Sequence, residues 1–153
     1  MKDVTVVKTG IVPLLLAAGA GTCMALQGAM NSLLGKGIGL ARATFLVQAT
    51  GALLAGILLF FPWPGSFAEL AHLPWYALLG GPLGVAIVFL VAESIAKAGA
   101  GPATTAIIVA QLLLAYLLDH FGLFGLERLP FSAWKALGII LIAAGGWLLL
   151  GRA

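Results

Sequence analysis

Four amide side chains, Gln27, Asn31, Gln48 and Gln111, are the residues of this sequence best suited to meet a ligand, because each is set inside a long apolar run. A polar group surrounded by hydrocarbon is costly unless it faces a cavity or another helix. Gln27 and Asn31 are four residues apart and share one helix face. Gln48 lies on a small-residue face with Gly51, Ala52 and Ala55, and Gln111 follows Thr104 and Thr105. Amides in this setting either bridge helices, at about 0.6–2 kcal/mol each, or line a shared polar cavity. Three segments contributing amides at similar depth favour the cavity, so Gln27, Asn31, Gln48 and Gln111 are the expected substrate-binding set.

The acids are placed differently. Glu93 is about nine residues from the middle of its apolar segment and Asp119 about eight, which puts each ~12–14 Å off the midplane at ~1.5 Å per residue. They read as solvated helix-end charges or, if drawn into a water-filled vestibule, as coupling acids at the mouths of a path. No acid falls at mid-membrane depth, which gives obligatory proton coupling little support. His120, beside Asp119, could tune it or stand passive. Two histidines and one cysteine, Cys23, make neither a metal cage nor a disulfide. The few Ser and Thr have no adjacent base, so no enzyme chemistry, cofactor or metal is expected. Gly81, Pro82 and Gly84, inside the run Gly80–Gly84, suggest a kink that serves either packing or a gate.

These residues sit on an unusually apolar chain. Of 153 residues 62% are hydrophobic and 8% charged, against roughly 25% charged in soluble domains. Such a surface must be solvated by lipid. The basic residues are scattered, which argues against a nucleic-acid face. The first apolar run continues through Leu34 and four more follow, so it reads as a retained anchor and not a signal peptide. Five segments are long enough to cross ~30 Å of hydrocarbon as helices, about 11–34, 43–61, 75–97, 103–121 and 132–150. The expected fold is all-α, a single five-helix transmembrane domain over residues 1–153. Gly21, Gly28 and Gly35 repeat every seven residues as a strip for close helix approach, and the fifth segment carries no polar residue between Lys135 and Arg152. Trp63, Trp75, Tyr76 and Trp134 read as interfacial anchors.

Alternation of five helices puts Lys2, Lys8, Arg128 and Lys135 on one side of the bilayer and Lys36, Arg42, Lys97 and Arg152 on the other. The positive-inside rule gives this balance no direction. Either a partner or the start of translation fixes the orientation, or the chain inserts both ways and pairs antiparallel, as a ten-helix inverted repeat of the kind secondary transporters use.

The runs GGPLGV from Gly80, GPATTAIIVAQLLLAYLLDHFGLFG from Gly101 and WKALGIILIAAGGWLL from Trp134 resemble the YdcZ-like family of small five-helix bacterial inner-membrane proteins in the drug/metabolite transporter superfamily. The Asp119–Gly122 ending is the most specific part, and Leu26–Gly39 is similar to the family's opening. Ala110 departs from the glycine expected before Gln111. The resemblance implies five-helix units that pair, or are fused as ten helices, around a central path. The expectation is therefore a multi-pass protein of the bacterial inner membrane. It would be a small secondary transporter, of export type, for a small polar metabolite or drug-like solute, working by alternating access as an antiparallel homodimer. Its partners would be the bilayer, a second copy and the solute, with no nucleic acid. The alternatives are a non-transporting membrane scaffold and one half of an obligate heterodimer.

Overall fold

The computed structural model describes residues 10–62 and 64–150. Trp63, Lys2, Lys8 and Arg152, which enter the anchor and charge-balance expectations, lie outside the described residues. Among the described residues the chain is helical, with no strand. Five α-helices follow one another: α1 (Ile11–Ile38), α2 (Leu40–Leu58), α3 (Gly80–Ala98), α4 (Ala100–Phe121) and α5 (Ala133–Leu150). A 3-10 turn, Trp75–Leu79, leads directly into α3, and a second, Phe67–His72, lies in the connection before it. Trp75–Ala98, α1, α2 and α4 are each long and apolar enough to cross a membrane; α5 is apolar but shorter.

The helix boundaries differ from those expected, for identifiable reasons. The segments GKGIGLAR and AGAGP read as loops, yet helix continues through both except at Gly39 and Gly99. Each glycine has a positive φ, 87° and 85°, that side chains with a β-carbon rarely adopt. Their own N–H groups still donate to Gly35 O and Ile95 O, both at 2.9 Å, while their carbonyls accept from Ala43 N and Ala103 N. The chain thus reverses within one residue, with the corner's backbone groups satisfied on both sides. Sixty residues separate the two corners, and each is followed by the same pattern, Gly-x-x-x-Ala-Thr, at 39–44 and 99–104. Ala43 and Ala103 are buried at 1% and 4% exposure, so only a methyl group fits inside each corner. At its far end α2 stops at Leu58, not Phe61. Leu59, Phe60 and Phe61 donate three residues back, and Pro62 disfavours the α conformation just before it. Lys135 N donates to Ser132 Oγ at 3.4 Å, so Ser132 caps α5 from outside.

α1 packs on α2 and α3, α3 also packs on α2 and α4, and α1 touches α4 only lightly. α5 packs on α4 alone. Of the heptad glycines, Gly28 serves the close approach of α1 to α3: a β-carbon there would stand 2.8 Å from Ile95 Cδ1 and 3.0 Å from Val91 Cγ1. Around Gly21 there is open space, and Gly35 lies under Leu40 of the next helix. The α4–α5 contact has its own glycine, Gly146, which is buried with Thr105 Cγ2 2.7 Å from where a β-carbon would be. Thr105 donates its hydroxyl to Gly101 O at 3.0 Å, leaving its methyl for α5.

Candidate functional site: an amide-bearing groove between three helices

The light contact between α1 and α4 leaves a groove of about 400 Å³, walled by α1, α3 and α4. That volume falls within the ~300–1,000 Å³ usual for small-molecule sites. Aliphatic side chains such as Met24, Ile87, Leu90, Ile95, Ile107 and Ile108 form most of its wall. The remainder is polar, from Gln27, Asn31, Thr104 and Gln111. None of these four makes a side-chain hydrogen bond within the described residues. Gln27 and Gln111 are exposed at the groove, whereas Asn31 is 6% exposed.

Their helices set the depths. Gln111 is halfway along α4 and Gln27 about two residues past the middle of α1. Asn31, one turn further, and Thr104, in the early turns of α4, come together at the end where the glycine corners lie.

Gln48 does not join this set. It lies halfway along α2, which contributes nothing to the groove, and its Nε2 would be 3.5 Å from a β-carbon at Gly84. The amide thus packs toward Gly84 of α3 instead of lining the space shared by the other three.

Glu93 also stands apart. At 3.6 residues per turn it is roughly half a turn around α3 from Val91 and Ile95, which line the groove. Its carboxylate pairs with Lys97 Nζ at 2.7 Å, one turn on. It is therefore an ion-paired helix-end charge and not a wall of this groove. Asp119 is two turns beyond Gln111, at the other end of α4.

Pro82 stands near the start of α3 and not in its middle. Pro82 is the third residue of α3, where an N–H has no intrahelical acceptor, so it breaks no bond. Gly81, Pro82 and Gly84 thus lie near the Trp75 end of the span and not at its middle. The irregularity is the change from 3-10 to α-helix between Leu79 and Gly80.

The segment Asp119–Gly122 closes α4. Gly122 adopts the left-handed conformation (φ 63°, ψ 39°), and its N–H donates to Asp119 O at 3.3 Å. The returning loop is strapped to the same turn. Leu129 N donates to Asp119 O (2.8 Å), Arg128 Nε to His120 O (3.1 Å) and Phe131 N to His120 Nδ1 (3.0 Å). His120 is a clasp for the loop.

The arrangement, a lipid-embedded groove with uncharged hydrogen-bonding groups, fits passage of a solute better than any bond-making chemistry. A family model covers residues 12–148, that of DMT YdcZ, to which the role of inner membrane exporter is assigned. The chain belongs to this family. It is a multi-pass inner-membrane protein, and the family description supports a transporter in general. No curated protein and no solved structure matches the chain.

Thr104 joins the wall although the pattern of amides does not point to it. Its signal was present in the repeated Gly-x-x-x-Ala-Thr pattern, which puts Thr44 and Thr104 at equivalent places after the two corners. Thr44 is buried with no hydrogen-bond partner for its hydroxyl, whereas Thr104 opens onto the groove.

Proposed function

We propose that this chain is a secondary transporter, of export type, that moves a small polar metabolite or drug-like solute by alternating access as an antiparallel homodimer. One observation carries the reading: three helices bring Gln27, Asn31, Thr104 and Gln111 into one groove where none has a side-chain hydrogen-bond partner among the described residues. A groove walled by three helices is half of an enclosed path. A second, inverted copy placed over it would supply the missing wall and repeat the same side chains from the other direction. In this reading α5 is a fifth crossing, the whole chain is one transmembrane domain, and Asp119 stands toward a mouth of the path. The hinge is the 3-10 to α junction at Leu79–Gly80, with Gly81, Pro82 and Gly84 just after it.

The decisive experiment is reconstitution in liposomes. Solutes that raise the unfolding midpoint of the purified protein by mass action are loaded and their efflux followed. Efflux that is lost with Gln111→Leu, while the dimer stays folded, is the expected result. Stabilising solutes that never cross would leave a scaffold that merely binds them. A requirement for a paralogous chain would replace the homodimer by a heterodimer.

A further inference from the structure

The groove has no charge anywhere on its wall. Its polar groups are three amides and a hydroxyl, each able to donate and to accept. The nearest acid on α3, Glu93, is turned to the opposite face and paired with Lys97. No aromatic ring lines the groove either, so a cation would find neither a carboxylate nor a π face. An anion fares no better. The N-termini of α2 and α4 and the C-termini of α1 and α3 all lie at the corner end, so their dipoles offset one another and leave no net positive end. The remaining wall is aliphatic, and an unpaired ion buried against it would lose more than about 100-fold in affinity.

We propose that the groove takes uncharged solutes with an apolar body and a hydrogen-bonding head, and rejects organic cations and organic anions alike. The inference rests on the transport reading above and narrows its substrate class. The aliphatic wall, contributed by residues such as Ile87, Leu90 and Ile108, holds the body. Gln27 and Gln111, near the middle of their helices, hold the head, and Asn31 and Thr104 form a second polar station toward the corner end. A head that leaves one station meets the next about a turn away on α1, which spares it from crossing the groove without hydrogen bonds.

The test uses the full chain in lipid nanodiscs with Cys23→Ser and Met24→Cys, so that the lone thiol reports from the groove wall. Three probes share one body and differ in head: 4-phenylbutanamide, 4-phenylbutanoate and 4-phenylbutylammonium. The rate of N-ethylmaleimide modification is followed with each. At a concentration ten times its Kd the amide should slow labelling about tenfold, and the two charged probes less than twofold at the same concentration. A thiol at Leu54 of α2, which does not line the groove, controls for partition into lipid and should be unprotected by all three. Gln111→Glu should transfer protection to the ammonium probe, because it puts a carboxylate where the head sits. Protection by either charged probe as strong as that by the amide would overturn the inference and leave the transport reading standing. Protection by none, in either background, would remove the groove as a solute site and the transport reading with it.

Discussion

Gly28 of α1 cedes its side-chain space to Ile95 of α3, whose Cδ1 would be 2.8 Å from a β-carbon at that glycine. The contact sets how closely the two central helices approach, and so how wide the groove beside it can be. Gly28→Val should cost about 1–3 kcal/mol, the usual penalty of overpacking a filled contact. Gly21→Ala, on the same helix but facing open space, should be neutral or slightly stabilising. Unfolding midpoints of the two variants in one detergent check the contrast.

Gln111→Leu separates recognition from adhesion. With no hydrogen-bond partner to lose among the described residues, the variant should stay within about 1 kcal/mol of the parent in stability while solute efflux disappears. Paired measurements of unfolding and of liposome efflux read both quantities, and retained efflux would relegate the amide to packing.

Glu93→Gln should change little. The Glu93–Lys97 pair is one turn apart, and its side chains are 39% and 74% exposed. A pair so exposed is worth about 0.5 kcal/mol or less. Since Glu93 is turned from the groove, efflux and its dependence on the solute gradient should be unaltered. A variant that lost coupling would return Glu93 to the path.

Replacing both Gly81 and Gly84 by Ala tests the hinge. Nothing lies within 4 Å of a β-carbon at Gly81, and Gln48 is in ordinary contact at Gly84. The substitution therefore stiffens the backbone by roughly 1 kcal/mol per site without a clash. Turnover should fall while solute affinity holds. Unchanged turnover would place the moving element elsewhere.

The four-to-four balance of basic residues motivates a prediction about orientation. Cytoplasmic and periplasmic reporters fused after Arg152 should both be active, and two or three lysines added at one end should silence one of them. A wild-type chain that reports from one side alone would end the inverted-dimer reading.

Composition and run length made the helical, lipid-solvated character legible, because 8% charge leaves no other solvent. Helix ends were harder to read. Glycine and lysine around Gly39 and Gly99 looked like loop, yet only the residue with positive φ leaves the helix; Gly35, Gly37 and Gly101 are tolerated within it. The site was partly readable. Gln27, Asn31 and Gln111 meet at one groove because α1 and α4 both flank α3 there, whereas Gln48 sits at the same height on α2, which packs on α1 and α3 without reaching the groove. Azimuth depends on which helices neighbour each other, and the spacing of residues along one helix does not encode that. Pro82 misled for a related reason: its effect depends on its distance from the helix start, and the preceding 3-10 turn concealed where α3 begins.

The corners at Gly39 and Gly99 have a mechanical consequence. With a single residue between helices there is no slack, so α2 cannot slide along α1, nor α4 along α3, without unmaking the Gly39–Gly35 or Gly99–Ile95 hydrogen bond. Near each corner the two helices of a pair must therefore shift together. Only two joints have length to spare, the stretch from Leu59 to Pro74 and that from Gly122 to Ser132. The chain is thus a linkage of three bodies, two helical hairpins and one lone rod, and any opening of the groove is motion of one hairpin against the other.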